Sequence, residues 1–532
     1  MMRTHHRPVP SSLDGAVVES AAHEPGTDSR ASHRVGDHRP LYHFWRDGER
    51  IQAPNALVRI GDKYHLFPQF DGFWGHSVST DLMRWSDLAG SPQQRLAAGP
   101  GSVVLDRYDR SGLFGGRRGL VALFTDPGAA GIRLAHSTDH GASWQVHDGA
   151  VLDPPECHGR FAGRFTDPRV VRDLNHHQWV MVVARGDLLR FYRSDDLLHW
   201  SPSADHDRNR FGAGPWHEGG DLRHPDFFPM RVQATNTTRW VLWWSSASAP
   251  ATNGSAWRYV IGDWDGSVFT PMTGPSPVLR ADAGRDLCAA TTCDDAPEGR
   301  RVMIARMTNQ DYAGQTPTGT WSGPLSTPRE IGLVNTRDGL RLTQRPAAEV
   351  AGLHTSATAV QDKPVGCEFN PIGGLGSRAV DIEAELETSS FDGAHTVTLQ
   401  VCCGGDRHTD IVWRPAERTL TVDRSESGAT EFSESFATPC QTRDVPAESV
   451  VRADSASVAV RWPESTLGGV RRAWLRVLID SCSLEVFSAD GLTAVTTAIF
   501  PGTGATGLRL SAEGGAARLI RVRANTMERA AQ

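Results

Sequence analysis

Residues 218–226, within the stretch HEGGDLRHPDFF, place several ionisable side chains close together along the chain. Asp221 lies two residues before Arg223, so in an extended strand both side chains would point to the same face. A carboxyl group there, or that of Glu218, could exchange a proton, whereas Arg223 could not, because its pKa stays above about 12. Arg223 can supply only charge and hydrogen-bond donors, which suit phosphate or carboxylate. The structural alternative is that Asp221 caps a turn, Glu218 is a solvated loop charge and His224 is packed or hydrogen bonded.

A second stretch, ERIQAPNALVRIGDKYHLFPQF, joins a Pro-Asn turn to alternating apolar and polar residues that are typical of a strand. The residue before the turn, Ala53, is chemically inert. The nearest acids on its N-terminal side are Asp47 and Glu49, which we expect on the approaching strand or loop. The segment therefore predicts a turn that looks built to hold a functional group but carries no reactive side chain.

Length and composition predict a globular protein of more than one domain, because 532 residues exceed the roughly 250 to 300 that one core supports. The net charge of -7 is modest and no long run of one sign occurs, so nucleic acid and anionic membranes are not expected partners. No apolar stretch approaches the roughly 18 residues of a membrane helix. The eight cysteines are scattered without metal-ligand spacing. We expect no disulfide framework, no metal and no cofactor.

Residues 1–39 are polar, rich in His, Ser and Pro, and lack the apolar block of a secretory signal. We interpret them as a disordered N-terminal leader, and we expect a cytoplasmic location.

The elements that must position these residues are β-strands. Helix periodicity is nearly absent, while short alternating runs bounded by Gly, Asp, Asn and Pro recur. Three segments share a Ser-x-Asp turn followed by Trp, with Asp81, Asp139 and Asp196 separated by 58 and 57 residues, and a looser copy surrounds Asp265. Such a repeat predicts a propeller, in which each blade is a small antiparallel sheet. The alternative is that Ser-x-Asp marks common hairpin turns.

The repeat ends near residue 350, where the pattern of strands changes. We predict a β-propeller over residues 40–350, a loop-like linker over 351–366 and a β-sandwich over 367–532. The strands of the last part are longer and more regular, and Asp490-Gly491 is a hairpin signal.

Many segments, in the same order, resemble those of glycoside hydrolase family 32, the invertases, inulinases and levanases. They include KYHLFPQF, WGHSVSTDLMRW, GSVVLDRYDRSGLF, FTDPRVV, HPDFFPM and LIDSCSLEVFSADG. The resemblance covers nearly the whole chain from about residue 40. It implies an all-β fold, a five-bladed β-propeller followed by a C-terminal β-sandwich, and a carbohydrate ligand, above all a fructoside.

Hydrolysis in that family uses two carboxyl groups that flank the glycosidic bond, a nucleophile and an acid/base. The resemblance places Ala53 at the nucleophile position and Arg223 at the acid/base position, while Asp167 retains the position of the transition-state stabiliser. Without the nucleophile the covalent route is lost, and loss of a general acid typically costs about 10² to 10⁴ in rate. The resemblance implies a family pocket with three carboxylates, the nucleophile, the acid/base and the stabiliser. Here only Asp167 remains and could pair with Arg223, so the chain is a pseudoenzyme candidate.

The resemblance also assigns eight positions to the sugar pocket: Gln52, Asn55, Gln69, Trp74, Ser102, Thr166, His224 and Trp321. Gln52 and Thr166 depart from the Asn and Arg of the family, and the loop between Gln69 and Trp74 is shorter. The two tryptophans could instead be core aromatics of the blades. Asp167 could likewise persist only to pair with Arg223 or to cap its turn.

The leading interpretation is a family 32-like protein that binds a fructoside or related carbohydrate, or regulates an active relative, without efficient hydrolysis. One alternative is an enzyme with an altered mechanism, in which Arg223 binds an anionic sugar and Asp167, Asp221 or Glu218 does the acid/base work. Another is a β-fructofuranosidase or levanase with displaced catalytic carboxylates, since an inverting mechanism needs only a base and water in place of the nucleophile. Self-association or association with an active homologue is the expected protein contact.

Overall fold

The computed structural model describes residues 38–88, 95–126, 131–154, 165–204, 211, 221–249, 254–272, 278–293, 295–437, 450–453, 457–461, 463–467 and 469–530. In this part of the chain, helix is limited to two 3-10 segments, Pro297–Gly299 and Ala348–Leu353, and the short α1 (Glu434–Ala437). The predicted all-β class is confirmed. Residues 1–37 of the predicted leader lie outside the described ranges. No described helix is long and apolar enough to cross a membrane.

Five antiparallel sheets follow one another between residues 53 and 346. The first two contain β1 (Ala53–Ile60), β2 (Lys63–Gln69), β3 (Ser77–Ser79) and β4 (Ser86–Asp87), then β5 (Gly101–Asp106), β6 (Gly119–Thr125), β7 (Ile132–Ser137) and β8 (Gln145–Val146). The third contains β9 (Thr166–Asp173), β10 (Gln178–Arg185), β11 (Leu188–Ser194) and β12 (Ser201–Pro202). The fourth contains β13 (Asp221–Arg231), β14 (Thr238–Ala249), β15 (Gly254–Trp264), β16 (Phe269–Pro271) and β17 (Leu279–Arg280). The fifth contains β18 (Cys288–Cys293), β19 (Arg301–Arg306), β20 (Arg329–Thr336) and β21 (Gly339–Pro346).

The first strands of these sheets contact one another in sequence, β1 with β5, β5 with β9, β9 with β13, β13 with β18, and β18 with β1. One side chain, Arg169 of β9, joins three of them. Its Nε donates to Asp226 Oδ1 at 2.9 Å, its Nη1 to Thr291 Oγ1 at 2.8 Å and its Nη2 to the carbonyl of Thr292 at 3.0 Å. Because the guanidinium is bonded on three edges, it fixes β9 against β13 and β18.

The Ser-x-Asp repeat forms a recurring turn. Oδ1 of Asp81 accepts from the backbone N–H groups two and three residues later, at 3.0 and 2.8 Å, and Oδ1 of Asp196 does the same at 2.9 and 2.8 Å. The residue after each repeat aspartate has positive φ: Leu82 at 62°, His140 at 61° and Leu197 at 69°. The carboxylate therefore replaces the backbone hydrogen bonds that a tight turn loses, and this explains the repeated residue types.

Two larger antiparallel sheets make up the rest of the described chain. One has the order β22 (His354–Val365), β34 (Ala517–Met527), β23 (Val380–Ser389), β30 (Val470–Asp480), β31 (Ser483–Ser488) and β32 (Ala494–Ala498), with β29 (Glu464–Leu467) beside β30. The other has the order β27 (Val450–Ala453), β28 (Ser457–Arg461), β26 (Thr419–Asp423), β25 (Arg407–Arg414), β24 (Thr396–Gly404) and β33 (Gly507–Glu513). Both contribute to one buried apolar cluster, which includes Ile382 and Val477 from the first sheet and Leu399 and Trp413 from the second.

The predicted linker over residues 351–366 is wrong. Residues 354–365 form β22, which pairs with β34 at the edge of the seven-stranded sheet. Most side chains of β22 are exposed, so the sequence lacks the apolar alternation that marks a strand. Its position is fixed by backbone hydrogen bonds to a strand more than 150 residues away, a contact that local sequence does not reveal.

A buried polar network connects the two parts of the chain. The side chain of Arg329, which has no exposed surface, donates to Glu485 at 3.1 Å through Nε and to Asp282 at 2.9 Å through Nη1. His43 contacts Asp480 through Nδ1 and Glu485 through Nε2, both at 2.8 Å. Every charge in the network has an opposite partner, as buried ionic groups require.

Candidate active site

Four of the five first strands carry a β-bulge close to their N-terminal end. The register shifts lie between Pro54 and Ala56 in β1, and opposite Val182 to Ala184 in β9. In β13 and β18 they lie between residues 223 and 226 and between residues 288 and 291. Three residues at these bulges have positive φ: Asp167 at 56°, His224 at 49° and Ala289 at 52°. Bulges redirect side chains, and residues with strained backbone cluster at functional sites. The predicted site residues Ala53, Asp167 and Arg223 therefore lie at or beside interruptions of the regular strand pairing.

The bulges surround a small cavity, which Ala53, Asp167 and His224 line together although they come from three different sheets. The other lining residues are Pro54, Asn55, Pro100, Gly101, Pro168, Arg169, Pro225, Ala289, Ala290 and Thr291. The structure thus brings the predicted nucleophile and stabiliser positions to one place.

Asp167 and Arg223 form an ion pair at this cavity. Arg223 Nε donates to Asp167 Oδ2 at 2.6 Å, its Nη2 lies 3.4 Å from Oδ1, and the backbone N–H of His224 donates to Oδ2 at 3.0 Å. Asp167 is only 3% exposed. Burial alone would raise the pKa of this carboxyl, but the charge of Arg223 and the hydrogen bonds hold it well below the usual range. Asp167 is therefore a fixed anion whose charge Arg223 neutralises.

Ala53 presents only a methyl group. It is 2% exposed and packs with Cys288 and Ala289. The two acids that precede it are engaged elsewhere, since Glu49 pairs with Arg95 at 3.0 Å and Asp47 with Arg39 at 3.5 Å. Neither acid replaces a carboxylate at this position.

The predicted displaced acids have different outcomes. Asp221 begins β13, two residues before Arg223; Asp167 is the main cause of the raised pKa of that arginine, and the charge of Asp221 adds to it. Glu218 lies outside the described residues. A role for either acid remains a prediction.

His224 lines the cavity beside Asp167. Burial lowers its pKa to about 4, against the opposing charge of Asp167, with Arg223 and Arg306 lowering it further. Its imidazole is therefore neutral near pH 7, and it can offer a hydrogen bond but not a positive charge.

Among the smaller polar residues of the predicted sugar pocket, Ser102 is buried, whereas Thr166 and Gln52 are partly exposed. Ser102 Oγ accepts from the backbone N–H of Val170 at 3.1 Å, and Thr166 Oγ1 lies 3.3 Å from Thr125 Oγ1. Gln52 Nε2 donates to Asp71 Oδ1 at 2.8 Å.

Two buried amides at the site are incompletely bonded within the described structure. Asn55 Oδ1 accepts from the backbone N–H of Gly101 at 3.3 Å, but its Nδ2 has no hydrogen-bond partner. Gln69, the cross-strand neighbour of Ala53, has no partner for its Oε1.

The two predicted stacking tryptophans are core residues. Trp74 is 2% exposed, donates from Nε1 to the carbonyl of Gly99 at 2.8 Å and meets Phe124 edge to face. Trp321 is 4% exposed and packs against Trp45 with 5.1 Å between ring centroids. The geometry favours the core interpretation for both, because neither offers an open ring face to a sugar.

Sequence reasoning missed one residue of this region, Arg306 at the end of β19. Its Nη1 donates to the carbonyl of Gln52 at 3.2 Å, immediately before Ala53. The signal was present, because an arginine interrupts the apolar run VMIARM. Among the described residues, no group of His, Cys, Asp and Glu could hold a metal ion.

The chain is similar to known proteins over most of its length. Residues 43–346 match the glycosyl hydrolases family 32 N-terminal domain and residues 349–526 match the family 32 C-terminal domain. A levanase of Bacillus sp. (strain L7) is 34% identical over 515 residues, which are 94% of this chain and 53% of that protein, so the chain spans about half of its length. A levanase of Bacillus subtilis (strain 168) is 30% identical over 91% of this chain and 69% of the relative.

Among solved structures, exo-inulinase from Aspergillus awamori aligns with a TM-score of 0.77 and 25% identity, over 93% of this chain and 99% of the inulinase. The family matches together cover most of the chain, in the order that the sequence motifs predicted. The chain therefore belongs to glycosyl hydrolase family 32.

Proposed function

We propose that this chain binds a fructoside or a related carbohydrate at the bulged ends of β1, β9, β13 and β18, and does not hydrolyse it efficiently by the retaining mechanism. The relatives reported above are levanases and an exo-inulinase, which supports a fructose-containing ligand.

We further propose that the five sheets are blades of a closed five-bladed propeller over residues 40–350, and that the two larger sheets form a sandwich that begins with β22. The sequential contacts of the five first strands support the propeller. The shared apolar cluster of the larger sheets supports the sandwich.

The observation that carries the proposed function is the pair of substitutions at one cavity. A retaining glycosidase needs two carboxyl groups about 5 to 5.5 Å apart, one as nucleophile and one as proton donor. Here the methyl of Ala53 cannot attack a sugar, and Arg223 is bonded to Asp167 at 2.6 Å and cannot donate a proton near neutral pH. The remaining carboxylate, Asp167, is neutralised and cannot do both tasks.

The test compares the wild type with the double variant Ala53→Asp, Arg223→Glu on sucrose, levan and inulin. We expect no hydrolysis above background in the wild type and at least about 10²-fold more in the double variant, since both reactive groups return. Ala53→Asn with Arg223→Gln is the matched control, because it changes size without adding a carboxylate. Binding is measured by thermal shift, which a ligand of the folded state raises. Hydrolysis by the wild type at ordinary enzyme rates, or no binding of any fructoside, would contradict the proposal.

The second candidate is an altered hydrolase in which Asp221 does acid/base work. It is favoured by the position of Asp221, which lies two residues before Arg223 in β13 and so on the same face of the strand. Such an enzyme would invert the anomeric configuration, because no nucleophile is available for a covalent intermediate. Proton NMR of the released sugar, with Asp221→Asn as the inactive control, distinguishes it from a binding protein.

A further inference from the structure

Two arginines at the site, Arg223 and Arg306, differ in whether their charge is available to a ligand. Arg223 directs both Nε and Nη2 at Asp167, so its charge is already balanced inside the protein. An anionic group on a ligand would have to displace or compete with Asp167, which is buried and further held by the amide of His224. Arg223 is therefore poorly suited to bind an anion.

Arg306 is in the opposite situation. Among the described residues, its one side-chain hydrogen bond goes to the carbonyl of Gln52 at 3.2 Å, and its buried Nε has no partner there. Within the described ranges, no Asp or Glu forms an ion pair with it. Burial lowers its pKa, opposed by Cys288 in its thiolate form and by the carboxylate of Asp71. Because a partly buried guanidinium without a counter-ion is costly, an external anion would be stabilising here.

The neighbours of Arg306 do not replace such an anion. Cys288, its cross-strand partner, is a neutral thiol near pH 7, because burial raises its pKa. Asp71 is exposed and accepts a hydrogen bond from Gln52 Nε2 at 2.8 Å, so water screens its charge.

The hydrogen bond from Nη1 to the carbonyl of Gln52 places the guanidinium next to Ala53, which lines the cavity. Its charge helps to lower the pKa of His224, which lines the cavity. A Cβ added at Gly323, where φ is +69°, would lie 2.5 Å from Arg306 Nε. Glycine at this position therefore leaves the space that the guanidinium occupies.

A second polar atom that lacks a hydrogen-bond partner in the described structure, Gln69 Oε1, lies near Ala53. Gln69 is the cross-strand neighbour of Ala53, so the two side chains are adjacent on the same face of the sheet. Its buried Oε1 accepts no hydrogen bond from any residue in the described ranges. A ligand that satisfies both groups must offer an oxyanion to Arg306 and a hydroxyl donor to Gln69. A polyhydroxylated molecule with one anionic group meets both requirements.

We propose that the pocket recognises an acidic sugar, whose carboxylate or phosphate group pairs with Arg306. The inference rests on the proposed carbohydrate binding at this site and specifies its ligand class. An arginine fork binds either oxyanion through two parallel hydrogen bonds, so the carboxylated and phosphorylated forms are separated by experiment.

The experiment is isothermal titration of the purified chain with a neutral fructose disaccharide, a sugar carboxylate, a sugar phosphate and inorganic phosphate. We expect one of the two acidic sugars to bind at least about tenfold more tightly than the neutral sugar, as a charge-assisted hydrogen bond predicts. Arg306→Gln should remove this preference while the affinity for the neutral sugar changes less than about twofold. Arg407→Gln, at an exposed ion pair with Glu426 on one of the two larger sheets, is the matched comparison and should leave the preference for the acidic sugar in place.

Each contrary result identifies what has failed. Equal affinity of the wild type for neutral and acidic sugars, or a preference that survives Arg306→Gln, would overturn the inference and leave the proposed function intact. Binding of inorganic phosphate alone would also overturn it. If no sugar binds, both proposals fail. Should Arg306→Gln not fold, Arg306→Lys serves instead, because it keeps the charge but loses the fork, and an undiminished preference in it would count against the inference.

Discussion

Arg223 Nε lies 2.6 Å from Asp167 Oδ2, so a cation occupies the place where the family resemblance puts the proton donor and binds the one retained carboxylate. The two residues come from the bulged ends of β9 and β13. The contact pairs a cation with a buried anion, so the two charges balance. Its consequences for stability are measurable without knowledge of the ligand.

Arg223→Gln should lower the free energy of unfolding by about 1 to 3 kcal/mol near pH 7, because it leaves a buried carboxylate unpaired. The lower part of the range allows for the 36% exposure of the Arg223 side chain. The folded-state pKa of Asp167 is depressed, so the contribution of the pair is present above the unfolded value near 3.9 and is lost as pH falls through the folded value. Urea unfolding from about pH 5 down to about pH 2 follows this loss. In a double-mutant cycle with Asp167→Asn, a coupling energy near zero would show that the pair contributes nothing.

Trp74→Ala should destabilise the protein by about 3 to 5 kcal/mol, because it removes a large buried side chain from the core. Trp74→Phe should cost less, since it keeps most of the volume and loses the hydrogen bond to the carbonyl of Gly99. Chemical denaturation of both variants, beside Trp144→Ala at a partly exposed position, measures the difference. A stable Trp74→Ala variant that had lost carbohydrate affinity would instead restore the sugar-platform interpretation.

The buried His43 predicts a loss of stability at alkaline pH. Burial lowers its pKa, but the hydrogen bonds and charges of Asp480 and Glu485 prevail and raise it to about 9. Because the folded pKa exceeds the unfolded value near 6.5, the stabilisation is fully present below pH 6.5 and is lost as pH rises through about 9. We expect roughly 2 to 3 kcal/mol over this interval in the wild type relative to His43→Gln. Parallel pH profiles of the two proteins would argue against a charged His43.

The sequence by itself determined the features that depend on local chemistry. Alternating strands and Ser-x-Asp turns predicted the all-β class, because each turn is held by hydrogen bonds within a few residues, as around Asp81. The ordered motifs predicted the family, and residue identity alone showed that positions 53 and 223 carry no carboxyl group. The same residues suggested a pairing of Asp167 with Arg223, which is present.

The tertiary structure decided which of those residues are accessible and which charges are balanced. Trp74 and Trp321 match sugar-binding positions in sequence, but contacts with distant residues bury both. β22 is a strand only because β34 reaches its edge. Arg306 becomes notable because the fold places it beside Gln52 without an ion-paired acid among the described residues, a property of packing between sheets that no spacing along the chain encodes.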